Sequence, residues 1–159
     1  MKSPTATRMD KQMMEKLNKI ADLDLDKYAD ELLRAGTNLY GRTPEELILN
    51  DFKEYKEGKI FFGVGQMEVV GLLEFEKIKT QILEKLIEIR KNKGYHFIGL
   101  MVTDISTTGS LFLFDGEQNL CLCIGYPIIE PHIAELKDIL SRKKQLLPHL
   151  LTVFKEAKP

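Results

Sequence analysis

Three cations stand side by side in "SRKKQLLPHL", Ser141–Leu150, with the apolar residues that a buried helix needs close behind them. Ser141 has the character of a helix N-cap, so Arg142, Lys143 and Lys144 fall in a first helical turn. Positive charge there opposes the helix dipole. The same position turns favourable once an anion lies between free backbone N–H groups and the side chains. A guanidinium fork matches two phosphate oxygens at once, and an ammonium is a compact charge that can reach a bridging oxygen. A phosphate-bearing ligand is one reading of this cluster. A solvated helix face is the other.

Other chemistry is harder to find. His96, His132 and His149 have no ligand-spaced partner, neither H-x-x-x-H nor C-x-x-C, so no metal site within the chain is expected. His96 reads as a strand residue at the sheet surface, and His132 and His149 as solvent-facing. "GVGQM" holds Gly63 and Gly65 without the third glycine of a dinucleotide fingerprint, which leaves a bend or a close approach. "STTGS", Ser106–Ser110, reads as a polar turn between strands. Asp22, Asp24 and Asp26 precede a helix at the spacing that capping and solubility need. No Ser/His/Asp or Cys/His arrangement has a local signature, so no catalytic residue is assigned to this chain alone.

The totals set the frame. With 159 residues the chain is long enough for one domain with a real core. Lys and Arg number 23 against 24 Asp and Glu, so an affinity for anions must come from a local cluster. A nucleic-acid binder would more often carry a basic excess. No apolar run approaches the length of a membrane span, and "MKSPTATRMDKQMM" lacks the apolar core of a signal peptide. Cys121 and Cys123 lie two apart in "NLCLCIGY" and read as free thiols on one face of a strand, packed like small apolar residues. Free thiols suit a reducing compartment, and a cytoplasmic chain is the expectation.

The elements that must carry the cluster follow from periodicity. Thr7 and Asp10 form a capping box ahead of a stripe at Met13, Leu17 and Ile20. A second helix starts near Asp24 and stops at Gly36. "RTPEELILN" opens a third, with Thr43 as cap, Pro44 at its first position and Glu46 closing the box. From Asp51 the pattern alternates around Glu57-Gly58, a hairpin. Phe75, Ile78, Ile82, Leu86 and Ile89 mark a long helix that Gly94 ends. "YHFIGLMVTD" is apolar on both faces, as in a central strand covered on both sides. "SLFLF" and "LCLCI" read as two more strands, and "EPHIAELKDIL" as helix or strand. Pro148 implies a kink or an offset helix start. The expected fold is α/β, a single domain with a mixed sheet of about five strands flanked by helices. Residues 1–50 form a leading helical segment of that domain, and 51–159 its substrate-binding core.

Five stretches add a resemblance. "KSPT" at Lys2–Thr5, "DFKEY" at Asp51–Tyr55, "GVGQMEVV", "GLMVTDI" and "SRKKQLLP" occur in this order. Together they resemble the C-terminal part of the manganese-dependent family II inorganic pyrophosphatases, within the DHH phosphoesterase superfamily. In that family an N-terminal domain holds the metal ions through aspartates and histidines, and the C-terminal domain grips pyrophosphate with cations. The resemblance places substrate binding on Lys53, Arg142 and Lys143, with Lys144 and Ser141 as neighbours. Manganese would be bound by the N-terminal domain, which this sequence does not contain, and magnesium can accompany the substrate. Asp138 departs from the pattern, standing where the family usually has glycine. The family also favours an extended "ELKDIL".

The implied reaction is hydrolysis of pyrophosphate to two phosphates, with metal ions generating hydroxide and the cations clamping the departing phosphate. The implied partners are pyrophosphate and the metal-binding domain, in cis or in trans. No nucleic acid and no membrane are expected, and a homo-oligomer is compatible. The alternative is a stand-alone phosphate- or polyphosphate-binding or partner-binding module without catalysis.

Overall fold

Two capping boxes start helices where the sequence marks them. In the protein's structure, a computed structural model that describes residues 7–36, 39, 41–107 and 109–157, α1 (Arg8–Ala21) begins with Thr7 Oγ1 accepting from Asp10 N. The Asp10 carboxylate accepts in return from Thr7 N at 2.8 Å. The "KSPT" stretch and Thr108 lie outside the described residues. No residue of α1 is buried, and Met13, Leu17 and Ile20 of its stripe are exposed. α2 (Leu25–Gly36) follows. These helices form one compact unit, and the chain from Leu39 onward forms another.

The second unit is built on a six-stranded sheet, one more than the sequence suggests. α3 (Pro44–Leu49) opens it behind the Thr43–Glu46 box, whose two backbone bonds measure 2.7 and 3.2 Å. Leu47 and Ile48 of this helix are buried in the core under the sheet. β1 (Phe52–Glu57) and β2 (Ile60–Val69) make the expected hairpin. α4 (Leu73–Glu76) and α5 (Lys79–Lys93) then cross over to β3 (Phe97–Asp104), which runs parallel to β2. A parallel pair requires such a crossover. Gly94 closes α5 in the left-handed region.

β4 (Gly109–Gly116), β5 (Ile128–Glu130) and β6 (Ile133–Lys137) complete the sheet in the order β1-β2-β3-β4-β6-β5. Every residue of β3 is buried, as a strand covered on both faces must be. Ile98, Leu100 and Val102 pack on one face with α3 and α5. Phe97 and Met101 pack on the other, against Leu120, Leu146, Leu150 and Phe154. Gly99 leaves room for the Phe112 ring, since a Cβ there would stand 2.4 Å from it.

Two expectations fail on the second face. "LCLCI" is not a strand: residues Gln118–Cys123 form α6, with Leu120 and Ile124 buried one helical turn apart. Cys121 and Cys123 are free, but a helix turns them to different sides. Of "ELKDIL", Glu135–Lys137 is extended in β6, as the resemblance favours, and the chain turns at Asp138. Residues Arg142–Leu146 then form one π-helical turn, and α7 (Leu147–Glu156) continues from it. Pro148 sits in the first turn of α7, so the offset start is present. The wider turn suits the proline, which lacks an N–H and crowds the carbonyl four residues back.

Candidate anion-binding site

Side-chain alternation decides which cations can act together. Tyr55 of β1 packs on the sheet face that carries α6 and α7. Residues two apart on a strand share a face, so Lys53 lies on that side as well. Glu54 takes the opposite side, where the Tyr95 hydroxyl donates to its carboxylate. The π turn covers the same face as Lys53, with Leu146 buried in its core. Lys53, Lys143 and Lys144 are all exposed, and none forms an ion pair among the described residues.

Ser141 is the cap that the sequence predicts. Its Oγ accepts from Lys144 N at 3.2 Å, and its backbone is extended. Its carbonyl accepts from both Gln145 N and Leu146 N, at 3.0 and 3.2 Å, which is what widens the turn.

Arg142 is buried, unlike the two lysines that follow it. It is 5% exposed. Nη2 donates to the Asp51 carboxylate at 2.8 Å, while Nη1 donates to the Asp51 and Val64 carbonyls, the latter at 3.2 Å. Nε is buried without a hydrogen-bond partner among the described residues. The cause is location: the side chain enters the fold where β1 begins, and it finds two carbonyls and a carboxylate there. Val64 is the cross-strand partner of Lys53, so this guanidinium ties the π turn to the strand that carries Lys53.

The segment from Asp138 to Arg142 is held almost entirely by side chains. Gln145 Nε2 donates to Asp138 O at 2.9 Å, and its Oε1 accepts from Leu140 N and Ser141 N, each at 3.0 Å. Ser110 Oγ donates to Ile139 O at 2.7 Å. Gln66 Oε1 accepts from Arg142 N, while its Nε2 donates to Leu140 O and Thr103 Oγ1, all at 3.1 Å. Asp138, at the departure from glycine, has φ +57°, a left-handed backbone that explains why glycine suits the position.

Asp104, in the "VTD" stretch, accepts from Gly71 N at 3.0 Å and from Ser106 N and Oγ at 2.9 and 2.6 Å. Burial pushes its carboxyl up, but these bonds outweigh it and hold the group below the ordinary carboxylate range.

The histidines are placed apart. His96 Nδ1 accepts from Phe61 N at 3.0 Å at the foot of β3, just outside the strand. His132 is exposed, as expected. His149 is not solvent-facing: its ring lies 4.7 Å from that of Tyr126, with Nε2 2.8 Å from Ile124 O. Among the described residues no group of three or more His, Cys, Asp or Glu is placed to hold a metal ion, so the residues present do not fit a manganese centre.

Asp51, Gln66, Ser110 and Gln145 are the supporting residues that the sequence reading passed over. Gln66 carried a signal, being a polar amide in the apolar run "GVGQMEVV". A half-buried amide among apolar neighbours finds partners within the fold.

The family description "DHHA2 domain" matches residues 30–153. The chain belongs to the DHHA2 domain family. Among curated relatives, the probable manganese-dependent inorganic pyrophosphatase of Clostridium acetobutylicum is 34% identical over 154 residues, covering 96% of this chain and 50% of that protein. The manganese-dependent inorganic pyrophosphatase of Methanocaldococcus jannaschii is 36% identical over 150 residues, covering 94% and 49%. The solved structure of the Methanococcus jannaschii putative family II inorganic pyrophosphatase superposes with a TM-score of 0.76 at 35% identity, covering 96% of this chain and 50% of that one. This DHHA2 chain therefore spans about half the length of the relatives it matches.

Proposed function

We propose that this chain is the pyrophosphate-binding part of a metal-dependent inorganic pyrophosphatase, which hydrolyses pyrophosphate to two phosphates. One observation carries the reading. Lys53, Lys143 and Lys144 are exposed on one side of the sheet without carboxylate partners among the described residues. Unpaired ammonium groups, two on a braced turn and one on β1 on the same side of the sheet, suit an anion with several charges. The relatives named above support pyrophosphate as that anion.

In this reading the lysines neutralise the two phosphoryl groups, and the charge that grows on the leaving phosphate strengthens their hold as the bridge breaks. Ser141 fixes the turn from which they project. Arg142 joins them by exchanging its Asp51 carboxylate for a phosphate oxygen. That carboxylate is half exposed, and the buried Nε stands ready for an acceptor.

The manganese of the relatives' names belongs, in this proposal, to the half of those proteins that this chain does not span, with magnesium accompanying the substrate. The remaining partners are pyrophosphate and that metal-binding half, in cis or in trans. A cytoplasmic setting is proposed with it, since both cysteines are free. No helix among the described residues is long and apolar enough to cross a membrane.

The test joins this chain to the metal-binding half of the C. acetobutylicum relative and measures manganese-dependent phosphate release. Turnover that falls on Lys143→Ala and on Lys53→Ala supports the reading. Turnover indifferent to both substitutions defeats it.

A further inference from the structure

Gln66 stands in β2 on the side of Val64, where the neighbouring strand positions are apolar. A primary amide offers two donor hydrogens and one acceptor oxygen. All are used here. Oε1 takes the Arg142 N–H, and Nε2 gives one hydrogen to Leu140 O and the other to Thr103 Oγ1, each at 3.1 Å. The Thr103 hydroxyl in turn lies 3.2 Å from Ser110 Oγ and can donate to it, so the amide is anchored to two strands beyond its own.

The two backbone groups that Gln66 holds flank Ser141. Neither Arg142 N nor Leu140 O has another hydrogen-bond partner among the described residues. From the other side, Gln145 grips Leu140 N and Ser141 N, but Gln145 belongs to the π turn itself and moves with it. Gln66 is fixed in the sheet, and its amide ties both sides of the cap to that rigid frame. We infer that Gln66 is the positioning residue of the cation clamp. Resting on the function proposed above, it sets where Lys143 and Lys144 point by fixing the backbone one and two residues before them. Its own side chain need not touch the ligand.

The amide's orientation is dictated as well as its presence. An oxygen must meet the Arg142 N–H and a nitrogen must meet the Leu140 carbonyl, so a side chain of equal length without an amide leaves both groups unpaired. Ser141 then loses its fixed direction while the core beneath, closed by Leu146 and Leu150, stays intact.

The test uses the full 159-residue chain and Gln66→Met, which keeps length and volume and removes every hydrogen bond. Three measurements are made: amide hydrogen exchange, thermal midpoint and pyrophosphate affinity. Exchange at Ser141–Lys144 should quicken about tenfold or more while β3 amides stay protected. Affinity should fall about tenfold with the midpoint within a few degrees of wild type. Gln66→Met added to the variant that carries both Lys143→Ala and Lys144→Ala should bind no more weakly than that variant alone, because Gln66 acts through those two lysines. A purely structural residue would give additive losses. Additive losses, or affinity and exchange both unchanged, overturn the inference.

Should Gln66→Met fail to fold, Thr103→Val removes the hydroxyl that orients the amide, and the same local loosening is expected. Wild-type chain that binds no pyrophosphate defeats the functional reading instead. Exchange at Ser141–Lys144 then decides by itself whether Gln66 holds this segment: faster exchange sustains it, and unchanged exchange removes it.

Discussion

Arg142 Nη2 donates to Asp51 Oδ1 at 2.8 Å, joining the start of the C-terminal helical segment to the residue just before β1, 91 positions away. The guanidinium is almost wholly buried while the carboxylate is half exposed. The pair closes the turn over the sheet, and the same cation also donates to the carbonyls of Asp51 and Val64.

Removing the cation should therefore cost more than removing the carboxylate. Arg142→Ala removes an almost wholly buried side chain together with its hydrogen bonds to Asp51 and Val64, and is expected to destabilise by about 2–4 kcal/mol. Asp51→Asn leaves a carbonyl oxygen facing Nη2, next to water, and should cost about 1 kcal/mol or less. Urea denaturation of both variants checks the order. Equal losses would show that the carbonyl bonds matter little.

Asp138 offers the opposite sign. A non-glycine residue at φ +57° is held against its preference, although aspartate tolerates this region better than most. Asp138→Gly should stabilise by about 0.5–1 kcal/mol, since its carbonyl bond to Gln145 needs no side chain. A thermal midpoint that rises by a few degrees is the expected reading.

These two residues also mark the limits of what the sequence discloses. Local chemistry was legible: both threonine caps, the hairpin, the doubly covered β3 and the Ser141 cap follow from neighbours within four residues. Asp138 could be flagged as unusual, and the left-handed backbone supplies the reason. The burial of Arg142 could not be read, because its partners lie far off in sequence. Nor could the amide of Gln66 be assigned an address. α6 was misread because Leu120, Cys121, Cys123 and Ile124 fit a short apolar strand as well as one helical turn. Packing on β4 and α7 decides for the helix. His149 was misplaced for a related reason, since the Ile124 carbonyl it meets exists only once α6 has formed.

Asp104 should make stability depend on acid. Its folded carboxyl titrates below the ordinary range, so the unfolded chain binds the proton more readily. The contribution is complete above about pH 4, the ordinary carboxylate value, and fades as pH falls through the lower folded value. Asp104→Asn should lose stability at neutral pH and show a shallower decline between about pH 4 and 2. Denaturation series across that range would reveal it, and parallel slopes would contradict it.

The thiols should be sluggish. Burial, with help from the Asp115 carboxylate and against the Arg90 guanidinium, pushes Cys121 up to about 11. Burial also raises Cys123. Alkylation near pH 7.5 should run at least about tenfold slower than for a free cysteine, as followed by mass spectrometry.

The central claim is that Lys53 and the braced pair Lys143 and Lys144 hold pyrophosphate. An NMR titration of the 159-residue chain with pyrophosphate addresses it directly. Saturable shifts should gather at Lys53 and from Asp138 to Gln145, and should weaken in Lys143→Ala. Shifts that do not saturate, or that gather elsewhere on the sheet, would contradict the account.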